Sequence, residues 1–207
     1  MLRTLTFSTI RRMSSATTKT LNQDIIAQVI DDHNTVKSLW SKFKTENNKE
    51  EKDKLANQII YEVSVHSHAE ELVLYPAIEK SLQNKGKELA DESREEHAEV
   101  KKKLYAVDRM KPGDPNLESQ LNDTLTTLEQ HIKEEETDIL PKFKSATDVG
   151  TLQELGKKFQ RIKAAVPTRP HPSAPDKPLM ETLVGLAVAP ADNLRDATRS
   201  FSTGEEK

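Results

Sequence analysis

The sequence predicts an all-α protein built as an antiparallel helix bundle, and three observations predict it. From residue 22 to about 147 the apolar residues recur on the 3.6-residue period of a helix. Glycine and proline fall almost entirely outside the stretch 22–84, and Pro112-Gly113-Asp114-Pro115 marks a plain break further on. Four histidines, His33, His66, His97 and His131, recur at steps of 33, 31 and 34 residues, close to the length of one helix plus one turn. An antiparallel bundle brings such residues to a similar height on its axis, one per helix.

Each helix can be placed from its own stripe. The first spans about 22–46, with Ile26, Val29 or Ile30, His33, Val36 and Trp40 on one face. The second spans about 49–84 and carries Leu55, Ile59, Val63, His66, Glu70 and Val73, and Gly86 is expected to mark the turn that follows. The third, about 87–110, shows Leu89, His97, Val100, Leu104 and Val107. The fourth, about 116–144, follows Leu117, Leu121, Leu128, His131, Glu135 and Ile139. A shorter fifth helix is expected over 151–165, after Gly150. Pro76 and Pro141 lie inside the second and fourth helices, each ten residues after a histidine. Proline costs about 3 kcal/mol in a helix interior, so both should mark a kink or an end. The runs around them are alike, His66-Ser-His-Ala-Glu-Glu-Leu-Val-Leu-Tyr-Pro76 against His131-Ile-Lys-Glu-Glu-Glu-Thr-Asp-Ile-Leu-Pro141. Helices two and four therefore read as related halves of a pseudo-symmetric site.

Composition sets the outer bounds. With 207 residues the chain suits one domain with tails, and 34% hydrophobic against 31% charged residues leaves ample exposed helix surface. The net charge of −3 is spread with both signs mixed, which gives no nucleic-acid surface. The absence of cysteine removes disulfides, thiolate catalysis and cysteine-ligated zinc or iron–sulfur sites. No apolar run approaches the roughly 20 residues of a membrane span. Residues 1–22 hold no acid, but Arg3, Arg11, Arg12 and Lys19 stand among many Ser and Thr, with Leu2, Leu5, Phe7 and Ile10 between them. That composition reads as a mitochondrial transit peptide, with a cytoplasmic protein as the alternative. The domain plan is then 1–22 targeting, 23–147 bundle, 148–166 additional helix, and 167–207 a Pro-rich tail that is partly disordered or an extended strap. A short helix docking near 192–201 would end it.

The chemistry sits on the stripes. Residues four apart on a helix stand one above the other, so His66 with Glu70, and His131 with Glu135, can reach one metal or bridge two. Four imidazoles and two carboxylates in an apolar core would each be costly to bury unpaired. A shared pair of cations offsets that cost, and the mixed nitrogen and oxygen set suits two iron ions, with zinc able to compete. By the same helical phase His68 lies about 200° from His66 and should face solvent. Glu71 and Glu134 should belong to charged faces, and His171 to the surface. No Glu stands three residues before any of the four histidines, where Ile30, Val63, Arg94 and Leu128 are found instead. That excludes the Glu-x-x-His pattern of ferritin-like di-iron bundles.

Asp32-His33, His66-Ser-His-Ala-Glu70-Glu-Leu-Val-Leu-Tyr-Pro, Glu96-His97-Ala-Glu and His131-Ile-Lys-Glu-Glu135-Glu together resemble the hemerythrin-like proteins of the HHE cation-binding class, over about 24–143. The resemblance implies an up-down-up-down four-helix bundle holding two iron ions per chain, oxygen-bridged. It makes His33, His66, His97 and His131 terminal ligands and Glu70 and Glu135 bridging carboxylates. Oxygen carriers of that family have a further histidine four residues after the third-helix histidine, and here that position is Lys101. With one protein ligand fewer, the resemblance implies more exchangeable positions and a poorer fit to the carrier role. Three functions follow as expectations: a di-iron protein that binds or senses O2, NO or iron; a di-iron redox enzyme acting on peroxide, O2 or nitrogen oxides; or a zinc-bound or metal-free helical interaction module. No additional general acid or base can be placed beside the metals from sequence, which weighs against a dedicated enzyme.

Overall fold

The computed structural model describes residues 23–172, 188–192 and 194–202, and every regular element among them is helical. The proposed targeting segment 1–22 lies outside the described residues, as does 173–187 of the proline-rich tail. Helix α1 runs Ile25–Thr45 and begins at Asp24, whose carboxylate accepts the Ala27 N–H at 2.9 Å. Helix α2, Lys49–Ala69, begins at Asn48, which accepts from Glu50 and Glu51. Each cap satisfies N–H groups that have no partner within the helix. A π-helical turn, Glu70–Leu74, leads from α2 into α3, Tyr75–Asp108. Helix α4, Leu117–Glu134, passes through a second π turn, Glu135–Ile139, into α5, Leu140–Ala146. Helix α6, Val149–Lys163, starts at Asp148, which accepts from Thr151.

Four antiparallel rods result. They are α1, α2 with the start of α3, the rest of α3, and α4 with α5, in the up-down-up-down order. Two details differ from the sequence expectation. The chain reverses within α3 at Gln83, with φ 52° and ψ −131°, and not at Gly86. Gly86 does something else: a Cβ there would lie 2.3 Å from the Ile78 carbonyl oxygen, so the residue lets the two arms of the hairpin touch. Each proline stands at a change of helical segment, as expected, but the rod continues through it. The preceding π turn closes with an i to i−5 bond, Tyr75 N–H to Glu70 O and Leu140 N–H to Glu135 O, and each proline then enters at the first positions of a new α segment. There its missing N–H costs least.

The core has two apolar clusters with a polar layer between them. Ile25, Val29, Val73, Ile78, Leu140, Phe143 and Phe159 fill one end. Val36, Phe43, Ile59, Val63, Leu104, Leu121 and Leu128 fill the other. Helix α6 covers the bundle beside the first two rods. At Gly156 it approaches so closely that a Cβ would lie 2.5 Å from the Gln23 carbonyl oxygen. Beyond it the chain leaves helix, and Thr168 and Arg169 are buried, with Arg169 bonded to Asp108 and Asp196. Residues 188–192 and 194–196 are helical, and Arg199 binds Asp108 and Asn57, fastening this end to the bundle.

Candidate metal centre

The polar layer is the set of six. His33, His66, Glu70, His97, His131 and Glu135 are each 3% exposed or less, and they meet at one level of the bundle. The imidazoles fall into two pairs: His33 with His66, ring centroids 4.8 Å apart, and His97 with His131, 4.6 Å apart. The carboxylates lie between the pairs. Glu70 Oε2 is 3.1 Å from His66 Nε2 and 3.5 Å from His97 Nε2. Glu135 places Oε2 3.5 Å from His33 Nε2 and Oε1 3.7 Å from His131 Nε2. Both glutamates open a π turn, whose wider pitch re-aims the side chains that follow a histidine by one helical turn.

A second set of carboxylates holds the imidazoles from behind. His33 Nδ1 bonds Glu136 at 2.9 Å, His66 Nδ1 bonds Asp32 at 3.2 Å, His97 Nδ1 bonds Glu71 at 2.8 Å, and His131 Nδ1 bonds Glu96 at 2.6 Å. Every one of these pairs crosses from one rod to the next, so the four bonds form a closed ring around the bundle. An imidazole that donates Nδ1–H to a carboxylate presents a bare Nε2 lone pair to the interior, the arrangement found behind metal-bound histidines. The outer residues are anchored in turn: Lys37 binds Glu136, Lys163 binds Asp32 and Lys101 binds Glu71. Phe159 of α6 packs edge-on to the His66 ring at 6.4 Å.

Most of the inward atoms lack a hydrogen bond. His33 Nε2, His66 Nε2, both Glu70 oxygens and Glu135 Oε2 are buried without a hydrogen bond. His97 Nε2 and His131 Nε2 face one another at 3.0 Å, a contact of two lone pairs unless a proton or a cation intervenes. The local electrostatics ask for the same thing. Burial opposes a charge on His66, yet Glu70 and Asp32 raise its pKa to about 10. Burial also opposes ionisation of Glu135, yet His131, His33 and His97 hold it well below the usual carboxylate range. His97 is lowered by burial and by His131, whereas His131 is raised because Glu135 and Glu96 outweigh its burial. Two enclosed carboxylates need positive charge beside them, and metal ions supply it without leaving lone pairs orphaned. The donor set fits a pair of metal ions: one group joins His33, His66 and Glu70, and the other joins Glu70, His97 and His131.

Some residues behave differently from the sequence expectation. His68 is buried, not solvent-facing, and its Nδ1 meets the Ser64 carbonyl at 2.6 Å. Burial, with Lys101 nearby, lowers its pKa to about 4. Glu71 is buried too and does not lie on a charged face, because the π turn rotates it behind His97. Glu134 is half-buried, and His171 is half-buried with a bond to Asp192. Sequence reasoning passed over Tyr75, whose buried hydroxyl lies 3.0 Å from His97 Nε2 and donates to Glu135 Oε1 at 3.1 Å. Burial and the carboxylates Glu135, Glu70 and Glu71 raise this phenol well above its ordinary value, so it keeps its proton. A signal for the outer ring did exist: each of its carboxylates is the chain neighbour of one of the six, as in Asp32-His33, Glu70-Glu71, Glu96-His97 and Glu135-Glu136.

The family model of the hemerythrin HHE cation binding domain matches residues 24–143. The chain belongs to the hemerythrin HHE cation-binding family. A hemerythrin-like protein of Schizosaccharomyces pombe is 36% identical over 192 residues, covering 93% of this chain and 92% of that one. A DNA nickase of a Nostoc species is 23% identical over 147 residues, covering 71% of this chain and 40% of that protein. The crystal structure of a hemerythrin HHE cation binding domain-containing protein from Mycobacterium kansasii matches with a TM-score of 0.58 at 25% identity, over 69% of this chain and 88% of that chain. The four-helix bundle of this HHE protein is thus the fold of its family. No helix among its described residues is long and apolar enough to cross a membrane.

Proposed function

We propose that this HHE protein holds two iron ions and binds or senses O2, NO or iron at them. The observation that carries the reading is the position of Glu70 and Glu135, each lying between the two histidine pairs, with both Glu70 oxygens and Glu135 Oε2 buried without a hydrogen bond. In it, His33 and His66 serve one ion, His97 and His131 the other, and the two carboxylates are shared. Imidazole with carboxylate suits iron better than the softer or harder alternatives, with zinc the main competitor. Iron bound there would supply redox chemistry and exchangeable positions for a small ligand. The chain's own contribution is to exclude water with two apolar clusters, fix each imidazole through its Nδ1 bond, and balance charge through the lysines behind the ring.

A redox enzyme acting on peroxide or nitrogen oxides is the second reading, and Lys101 favours it. Lys101 stands where a fifth histidine would add a ligand, and its ammonium is engaged with Glu71 at 2.5 Å, so one more position is left for exchange. Elemental analysis of protein produced with ample iron tests both readings at once. About two iron ions per chain are expected, and zinc in their place would favour an interaction module instead. Stopped-flow spectra of the reduced protein mixed with O2 or peroxide then divide reversible binding from turnover. The composition of residues 1–22 supports a mitochondrial location, and a fluorescent fusion lacking those residues would then lose it.

A further inference from the structure

The two halves of the site are alike in His, Glu and Pro but not in the residue before the proline. His66, Glu70 and Pro76 match His131, Glu135 and Pro141, and Tyr75 then matches Leu140. Both are buried at the start of an α segment after a π turn. Leu140 offers no polar atom. Tyr75 brings a hydroxyl into contact with two inward site atoms, His97 Nε2 and Glu135 Oε1. Among the described residues it is the one hydroxyl hydrogen-bonded to those inward atoms.

We propose that Tyr75 is a hydrogen-bond donor to a small ligand of this centre, and that it makes the half formed by His97 and His131 the ligand-accepting half. The ligand class is a diatomic or small anion with a terminal oxygen or nitrogen lone pair. This rests on the di-iron reading. A buried O–H must have an acceptor, and leaving one without costs a substantial part of its solvation. A purely structural phenol would be satisfied by a backbone carbonyl, as buried His68 is by Ser64. Tyr75 instead uses site atoms, one of which, the His97 Nε2 lone pair, is withdrawn once a cation takes it. The hydroxyl has one proton, given to Glu135 Oε1; a cation drawing on that carboxylate would weaken this acceptor and leave the proton for a better acceptor in the adjoining space. Its ring cannot swing away: it is fully buried, the Arg94 guanidinium lies over it at 5.7 Å, and Pro76 fixes the backbone beside it. A donor held in that way, in a water-excluding site, favours ligands that carry partial negative charge on the near atom.

The test is Tyr75→Phe in the full chain, with azide as the probe. Iron per chain by elemental analysis should equal that of the parent protein. The azide dissociation constant should rise about tenfold, as expected for one lost hydrogen bond. The azide stretching band should shift on transfer to D2O in the parent and stay fixed in the variant. Tyr61→Phe, at a half-buried tyrosine outside the site, should change neither quantity. Unchanged azide affinity in Tyr75→Phe overturns the proposal. So does a loss of iron with the affinity of loaded sites intact, which would make Tyr75 a prop for Glu135. A visible tyrosinate-to-iron band in the parent that vanishes in the variant would make Tyr75 a ligand, and overturns it as well. A parent protein that takes up no iron overturns the di-iron reading itself, and is seen before azide is added.

Discussion

Glu136 shows most clearly what single residues contribute beyond the six inward groups. Its carboxylate accepts from His33 Nδ1 at 2.9 Å while Lys37 balances its charge, so it fixes both the tautomer and the tilt of the ring. Replacing Glu136 with Ala should leave the helices intact and weaken metal binding by roughly 10- to 100-fold, measured by competition with a chelator. An affinity equal to that of the parent protein would mean that packing alone orients the imidazole. The six inward residues were legible because helical phase puts them on the apolar stripes. The outer carboxylates were legible only as chain neighbours of the six, since each serves a histidine on another rod and phase along one helix says nothing about its neighbour. His68 carries the second residue-scale prediction. Its pKa is about 4 in the fold against 6.5 for an ordinary imidazole, so the unfolded chain takes up a proton that the native state refuses. Stability should therefore fall as pH drops from 6.5 towards 4, by up to about 3 kcal/mol from this group. His68→Leu should flatten that part of the curve in denaturant titrations. Superimposable curves for parent and variant would show that the native ring is protonated after all.

At the scale of elements, the same residue type can serve two ends, and this limited what the sequence could reveal. A glycine between two helical runs ordinarily signals a turn, and Gly86 looked like one. Its role is close approach to Ile78, while the turn falls on Gln83, where a side chain occupies a backbone region that glycine prefers. Strain of that kind costs roughly 1–3 kcal/mol, and extra unfolded-state freedom of glycine takes back about 0.5–1 kcal/mol. Gln83→Gly should accordingly stabilise the protein by about 1 kcal/mol in thermal melts. A lower melting temperature would show that the Gln83 side chain makes contacts worth more than the strain. The prolines are a related case. Their matching positions were visible, but the π turns that accommodate them were not, because a π turn has no residue signature. Yet these turns decide the site: they start at Glu70 and Glu135 and rotate Glu71 and Glu136 behind the next imidazole.

On the scale of the whole molecule, two apolar clusters sit above and below a layer whose outer side is hydrogen-bonded but most of whose inward atoms are not. The ring of four Nδ1–carboxylate bonds ties each rod to the next, so whatever fixes the imidazoles also fixes the relative height of all four rods. Metal removal should then act unevenly. The apolar clusters remain, so helix content by far-ultraviolet circular dichroism should change little. The layer loses its charge balance, and the bonds around it loosen together. Ligand linkage sets the size of the effect: a metal bound at about a hundred times its dissociation constant stabilises by roughly 3 kcal/mol. For a chain of this size that corresponds to a drop in melting temperature of about 10 °C on chelation. Amide exchange should quicken first around His66–Leu74 and His131–Ile139, where the wide turns meet the layer, and later in the clusters. Uniform acceleration along all four rods would mean that the layer is not a separate unit and that the ends of the bundle depend on it equally.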